Sequence, residues 1–355
     1  MRHNVIIAAG GSGGHVLPAQ TVAGDLQKSD VTVTFAAFGL QENSFFDRSH
    51  NAFYEITAAP PSASFKFLSS TTKGLLQSIR LLRKERPSLV IGFGSYHVFP
   101  LLAAASLLRV PFVLYAADVV PGRAIRLFAP LARWTGCFFE EAATKIRGKT
   151  VHVDFPLRPS LRCLPSKEEG CQYFGVQHDG RTILVLGGSQ GAAALNSLLP
   201  QAISQLSPRP TVIHLAGKGA DINALAHAYH TLAIQAEVRA YERAMHYAFA
   251  AADVVVARAG ASTIAEVEMC HKPALYVPFP HAMDDHQMKN AQQAAARGRA
   301  IVIGETDATY DTIAHALHTL LEPSPQKCEY HRKPSMTFVS KILQTLDEVF
   351  PCQRR

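Results

Sequence analysis

The sequence predicts a doubly wound α/β protein built from two similar halves, and three observations lead there. Short β-branched, apolar runs alternate with longer helical stretches along the chain, the pattern of parallel strands covered by helices on both faces. A strand, a glycine turn and a helix occur twice, as NVIIAAGGSGGHVLPA near the start and TILVLGGSQGAAALN at 182–196. Between them, DFPLRPSLRCLPSKEEG (154–170) is rich in proline and charge and lacks periodicity. It reads as an interdomain linker with the boundary near residue 160. A chain of 355 residues accommodates two domains of ordinary size.

In the first half the apolar runs predict strands at 4–9, 31–37, 89–93 and 112–115, with a helix at 70–84. In the second half strands are expected at 182–186, 211–215, 254–257, 274–277 and 300–303, with helices at 192–205 and 263–268 among them. After the break EPSPQ the segment 335–350 reads as a last helix able to pack back across the boundary.

Composition sets outer limits. With 48% apolar and 18% charged residues and no long biased tract, the chain is expected to be a soluble globular protein. The apolar stretch 98–120 has Arg109 and Pro111 at its middle, so a helix followed by a buried strand explains it better than a membrane span. The apolar run at 4–9 is too short for a secretory signal, and a glycine turn follows at once. Six cysteines without a C-x-x-C pair then read as reduced thiols, neither a disulfide framework nor a zinc site. A net charge of +7 permits an anionic partner: nucleic acid, an acidic membrane surface or a phosphate-bearing substrate.

The two glycine turns carry the first chemistry. A strand running through glycines into a helix start presents free N–H groups and a helix dipole to an anion. Neither turn spells G-x-G-x-x-G, and the first lacks the lysine of a P-loop. A compact turn without a ligand explains one such loop; two at equivalent places favour two anion sites at the carboxyl ends of the strands. His15 closes the first turn near the start of its helix, where the dipole favours the neutral imidazole that a general base needs. A helix-cap histidine without chemistry is the alternative.

The region 253–291 adds a second group. RAGAST leads into a helix containing Glu266, a bidentate acceptor for two ribose hydroxyls, or else a carboxylate closing a capping box with Ser262. PFPHAMDDHQMKNA then offers Asp284, Asp285, His286, Gln287 and Asn290. His281, Asp285 and His286 are metal-ligand types, but no H-x-x-x-H spacing supports a site, so no metal is expected. At 65–87, Phe65, Phe67, Leu75, Leu76 and Ile79 alternate with Lys73, Arg80, Arg83, Lys84 and Arg86. That is either a basic amphipathic helix for an anionic membrane surface or an ordinary helix with a solvated basic face.

In their order and spacing, GGSGGH (10–15), GFGSYHVFP (92–100), FPLR (155–158), VLGGSQGAAALN (185–196), AGKG (216–219), RAGAST with AEV (258–267) and VPFPHAMDDHQMKNA (277–291) resemble the MurG family over nearly the whole chain. These are the bacterial UDP-N-acetylglucosamine:lipid I N-acetylglucosaminyltransferases. The resemblance implies a GT-B fold: two Rossmann-like domains, an interdomain cleft and a C-terminal helix returning to the first domain. Residues 1–158 with about 335–350 would face acceptor and membrane, and 159–334 would bind UDP-GlcNAc. It implies Glu266 on the ribose; Gly188, Ser189 and Gln190 on the donor diphosphate; and Arg158 beside the donor phosphates. Glu242, through its backbone, and Met245 would frame the uracil, with Ala261, Ser262, Thr263 and Gln287 along the ribose and sugar. Ser12, Gly13, Gly14 and Tyr96 would belong to the acceptor side, with His15 as general base.

The implied reaction is inverting transfer of GlcNAc to the 4-hydroxyl of the lipid-linked muramyl sugar, with no obligatory cofactor, at the cytoplasmic face of the bacterial inner membrane. One departure stands out. Where the family carries H-E-Q-N, this chain has Tyr115, Ala116, Ala117 and Asp118, so the asparagine contacting GlcNAc is an aspartate that cannot donate as an amide does. The alternatives are a related transferase acting on diacylglycerol or another lipid, and a non-catalytic sugar-nucleotide-binding protein. No aromatic-rich basic stripe supports a nucleic-acid partner.

Overall fold

The strand–helix alternation resolves into two parallel sheets. The computed structural model describes residues 3–60, 65–188, 191–323 and 336–349. The chain divides into two units, Met1–Pro156 with Lys333–Arg355, and Leu157–Arg332. The division puts Arg158 in the second unit, although the sequence places it at the end of the first domain.

Unit 1 runs β1 (Asn4–Ala8), α1 (Gly13–Gln27), β2 (Thr32–Ala37), β3 (Phe53–Glu55), α2 (Phe65–Glu85), β4 (Leu89–Gly92), α3 (Phe99–Leu107), β5 (Phe112–Ala116), α4 (Arg123–Phe128), β6 (Thr135–Cys137) and β7 (Thr150–His152). Its strands are ordered β3-β2-β1-β4-β5-β6-β7, all parallel. Val5, Ile6, Ile7 and Ala8 are fully buried because β1 is central and covered on both faces.

Unit 2 runs α5 (Lys167–Phe174), β8 (Thr182–Leu186), α6 (Ala193–Ser204), β9 (Thr211–Leu215), α7 (Ile222–Thr231), β10 (Ala236–Arg239), α8 (Met245–Ala251), β11 (Val254–Ala257), α9 (Ala261–Met269), β12 (Ala274–Tyr276), α10 (His286–Arg297), β13 (Ala300–Val302) and α11 (Tyr310–Leu321). The order β10-β9-β8-β11-β12-β13 repeats the plan of unit 1, and all pairs are again parallel. In each sheet the chain reverses direction of winding beside the first strand, between β1 and β4 and between β8 and β11. Crevices for ligands open at the carboxyl ends of strands at such switch points.

Four strands, β3, β6, β7 and β10, have no counterpart in the sequence-based reading. The linker reading of 154–170 is also too long. Pro159–Leu161 forms a 3-10 turn, and Ser166 and Glu169 close a capping box that starts α5.

The last helix, α12 (Phe338–Val349), belongs to unit 1 and lies against α1. Its fully buried Phe338 ring stands 4.8 Å from Tyr115, 5.6 Å from Trp134 and 5.9 Å from Phe93. Asp154 Oδ1 accepts from the Phe338 amide at 2.7 Å, and Trp134 Nε1 donates to Thr345 Oγ1 at 2.9 Å. A side chain on Gly136 of β6 would reach 3.0 Å from the Phe338 ring, so β6 is thin where α12 docks.

Phe338→Ala is expected to cost about 3–5 kcal/mol, the usual range for emptying a buried aromatic site. Trp134, the one tryptophan of the sequence, reports that loss in a denaturant titration followed by its fluorescence.

Candidate functional site

The first glycine turn follows β1 and ends at Ser12, the N-cap of α1. Gly11 has φ +86°, a conformation that L side chains rarely adopt. Asn43 Nδ2 donates to the Gly11 carbonyl at 2.7 Å and fixes the turn from one side. The opening amides of a helix have no intrahelical acceptor, so Gly13 and Gly14 present theirs at this end. His15 falls in the first turn of α1, half-buried, with Ser12 Oγ 3.4 Å from its Nδ1. A Cβ on Gly94, beyond β4, would stand 3.8 Å from His15 Nε2. The ends of β1 and β4 therefore bring Ser12, Gly13, Gly14, His15 and the 92–100 segment together. Tyr96, half-buried, opens a 3-10 turn in that segment.

His97, which the sequence reading did not single out, joins this cluster. Its ring stacks on Phe38, lies 3.9 Å from the Tyr96 ring between centroids, and has Nδ1 2.6 Å from Ser95 Oγ. Burial first, and then the neighbouring His15 charge, lower its pKa to about 4. His97 is thus a neutral imidazole at neutral pH.

The second turn follows β8 and enters α6; Ser189 and Gln190 lie outside the described residues. Gly188 is exposed with φ +76°. Gly191 and Gly217 approach so closely that a Cβ on Gly217 would sit 2.3 Å from the Gly191 Cα. Beneath them Asn196 Nδ2 donates to the Ala216 carbonyl at 3.2 Å, and His214 bridges Asn196 Oδ1 at 3.0 Å and the Tyr229 hydroxyl at 2.9 Å. An amide oxygen only accepts, so Nε2 of His214 carries the proton and Nδ1 accepts from Tyr229. Burial lowers the His214 pKa to about 3 and keeps that arrangement neutral.

Elsewhere in unit 2 Arg158 and Glu266 meet at 3.2 Å, and Arg158 also donates to the Arg243 carbonyl at 3.4 Å. Burial pushes the Glu266 carboxyl up while Arg158 pulls it down. The other carboxylate oxygen makes no hydrogen bond among the described residues and remains for a ligand. The N-cap of α9 is Gly260 without a side-chain cap, so the capping-box alternative for Ser262 and Glu266 is wrong: Ser262 already lies inside the helix. Ala261 is buried, with Ser262 and Thr263 half-buried in the first turn. Asn290 Nδ2 donates to the Ala259 carbonyl at 3.3 Å and ties α10 to this turn. Gln287 Oε1 accepts from the Phe279 amide at 3.0 Å, which leaves its NH2 group for other partners.

The Glu242 side chain is spent internally. It meets Arg239 at 2.6 Å, the Tyr173 hydroxyl at 3.2 Å and the Ala244 amide at 2.7 Å, leaving only its backbone for a ligand. Met245 is buried at the start of α8. Unlike the other donor-side residues, Asp118 stands in unit 1, half-buried beyond β5. Among the described residues no three His, Cys, Asp or Glu side chains converge as metal ligands. A cavity of about 850 Å³ in unit 2, lined by Gly191, Asn196, Pro200, Arg258 and Glu305 among others, includes none of Arg158, Glu242, Glu266 or Gln287.

Two parallel doubly wound units with glycine turns at their switch points, a histidine at the first turn and an arginine–carboxylate pair in the second unit, have the GT-B architecture of sugar-nucleotide glycosyltransferases. The family models agree: the glycosyltransferase family 28 N-terminal domain matches residues 5–135 and its C-terminal domain residues 182–346. The chain is 38% identical over 334 residues to the UDP-N-acetylglucosamine–N-acetylmuramyl-(pentapeptide) pyrophosphoryl-undecaprenol N-acetylglucosamine transferase of Protochlamydia amoebophila, covering 91% of this chain and 89% of that one. The Pseudomonas fluorescens transferase of the same name is 33% identical, with 91% of each chain covered. The crystal structure of Acinetobacter baumannii MurG superposes with a TM-score of 0.79 at 25% identity, over 98% of this chain and all of that one. The chain belongs to the MurG family within glycosyltransferase family 28.

Glu268, one turn along α9 from the Ala265 of AEV, gives a pH prediction. Burial raises its pKa from 4.5 to about 7, with Arg297 acting the other way, and Oε1 has no hydrogen-bond partner. Below pH 4.5 the group is protonated in both folded and unfolded chains. As pH rises the unfolded chain loses the proton first, so this group's contribution to stability falls until about pH 7. The loss amounts to about 3 kcal/mol at most. Urea titrations from pH 5 to 8 should show that decline in the wild type, and Glu268→Gln should remove it.

Proposed function

We propose that the protein transfers GlcNAc from UDP-GlcNAc to the 4-hydroxyl of the MurNAc of lipid I, an undecaprenyl-diphosphate-linked acceptor, giving lipid II for peptidoglycan synthesis. The observation that carries this reading is that identity to the transferases of that name runs through both units, across 91% of the chain. A shared donor unit alone would leave the acceptor open.

Unit 2 takes the donor. Gly188, Ser189 and Gln190 receive the diphosphate at the start of α6, Arg158 adds a fixed positive charge, and the free oxygen of Glu266 accepts from the ribose hydroxyls. The Glu242 backbone and Met245 frame the uracil, and Ala261, Ser262, Thr263 and Gln287 line the ribose and sugar. Unit 1 takes the acceptor, with Ser12, Gly13, Gly14 and Tyr96 on its diphosphate. Asp118 offers only acceptor atoms to the GlcNAc where an amide would also donate.

The step is a single displacement. The acceptor 4-oxygen attacks the anomeric carbon from the face opposite the diphosphate, and the bond to the diphosphate oxygen breaks with its electron pair going to UDP. The hydroxyl proton passes to His15, whose Nε2 is the base when Nδ1–H faces Ser12 Oγ. Charge growing on the leaving diphosphate is met by backbone amides and Arg158, which need no reorganisation as it develops. This scheme requires no resident metal.

The lipid acceptor asks for a surface. No helix among the described residues is long and apolar enough to cross a membrane. Within α2, Leu81 and Leu82 are buried, whereas Leu68 and Leu76 are exposed beside Lys73 and Arg80. Leu107, Leu127 and Leu131 are exposed among Arg109, Arg123 and Arg133. Apolar tips with a basic surround suit peripheral attachment to anionic lipid, here at the cytoplasmic face of the bacterial inner membrane.

Purified protein given UDP-GlcNAc and a lipid I analogue should release UDP; turnover with diacylglycerol instead would replace this acceptor by another lipid. His15→Ala should lower kcat by about 10²–10⁴-fold, the range for loss of a general base, with UDP affinity nearly unchanged. Glu266→Ala should do the reverse, raising donor KM well before it lowers kcat. Flotation with anionic vesicles should recover the protein at low salt and lose it as salt rises; no binding at any salt would exclude the membrane-surface reading.

A further inference from the structure

We propose that His97, anchored by Ser95, is a positioning residue that holds the first glycine turn in register beside His15. The proposal deepens the reading above and rests on it for the identity of the acceptor.

The contacts are unusually close. A Cβ on Gly10 would lie 2.9 Å from His97 Cβ, and one on Gly11 would lie 2.9 Å from His97 Cε1 and 3.1 Å from Nδ1. The His97 side chain, by its Cβ at Gly10 and its ring at Gly11, therefore fills the space that the bare glycines leave. Its main chain contributes as well, since the His97 carbonyl accepts from the Phe38 amide at 3.3 Å. With Asn43 holding the Gly11 carbonyl, the turn is gripped from two sides. Once the ring is displaced, Gly10 and Gly11 lose the neighbour that restrains them, and the amides of Gly13 and Gly14 with His15 follow.

The anchor is strained. Ser95 has φ 70° and ψ 158°, a region open essentially to glycine alone. A side chain there is a liability for the backbone, yet its hydroxyl makes the 2.6 Å bond to His97 Nδ1. Residues kept in such conformations cluster at functional sites, where their geometry is part of the mechanism. Tyr96 lies between the two partners in sequence with its ring tilted against the imidazole at 3.9 Å, so the same bond sets the position of an acceptor-side residue.

Ser95→Gly separates function from stability. Glycine removes the backbone strain and the hydroxyl together, so the variant is expected to melt at the wild-type temperature or higher. Its kcat/KM for the lipid I analogue is nevertheless expected to fall about tenfold or more, the scale on which small misplacement of reacting groups acts. UDP affinity, set by unit 2, is expected to stay at the wild-type value. His97→Ala should lose as much, and His97→Asn, which offers an acceptor near Nδ1, should recover part of it.

Amide hydrogen exchange gives a readout independent of turnover: residues 10–16 should exchange faster in Ser95→Gly while unit 2 is unchanged. Unaltered exchange at 10–16 overturns the proposal, and so does acceptor turnover that follows the melting temperature across the variants. If the wild type itself turns over no lipid I analogue, the acceptor reading fails, and the exchange measurement still decides the role of His97.

Discussion

Both glycine turns depend on one constraint: backbone must approach backbone or ring with no side chain between. In unit 1 the intruder is the His97 side chain, its Cβ against Gly10 and its ring against Gly11; in unit 2 it is Gly191 against Gly217. Parallel sheets with this strand order already bring the turns to the carboxyl ends of β1 and β8. What the close approach adds is fixity, so that under the proposed function the amides would be in place before an anion bound. Preorganised donors of this kind stabilise charge as it develops, because they need not turn toward it. The Asn196–His214–Tyr229 chain extends the same logic inward, holding the Ala216 carbonyl under the second turn with no charged group.

Charge is handled separately, by Arg158 and Glu266. Burial raises the Glu266 carboxyl above the usual carboxylate range, and the guanidinium at 3.2 Å offsets part of that rise. Each partner has a second duty. Glu266 has an oxygen to spare, and Arg158 reaches the carbonyl of Arg243 on the segment that also contains Glu242. A nucleotide bound here would meet three segments, 158, 240–245 and α9, whose mutual position is already set. The Glu242 side chain helps to set it by holding Arg239, Tyr173 and the Ala244 amide at once.

The central strands were legible because they are buried on both faces and therefore read as unbroken apolar runs. The strands that escaped notice lack that run for identifiable reasons. β3, β7 and β10 are sheet edges, half-exposed or more and mixed in polarity. β6 is internal, but its sequence is Thr-Gly-Cys, because Phe338 from the far end of the chain supplies the bulk that the strand omits. Candidate site residues stand out in the sequence where chemistry and local spacing coincide, as at His15 in its turn or Glu266 after RAGAST. They do not stand out where the signal is conformational. Nothing in GFGSYHVFP announces a positive φ at Ser95, or that His97 returns to cover Gly10 and Gly11.

Fold alone does not decide the reaction. Two parallel doubly wound sheets are common to proteins with different chemistry. A transferase must in addition hold a second, nucleophilic substrate and remove its proton, and in the proposed reading that requirement falls on unit 1. It is there that His15 sits within the opening turn of α1, faced by Gly94, with a second and neutral imidazole at its side. The low pKa of His97 would suit it to that place, because an uncharged neighbour would not oppose the positive charge that His15, as the proposed base, would acquire. Under the proposed reaction the two histidines of this cluster would have unequal duties, one to take the proton and the other to keep the turn in place while remaining neutral.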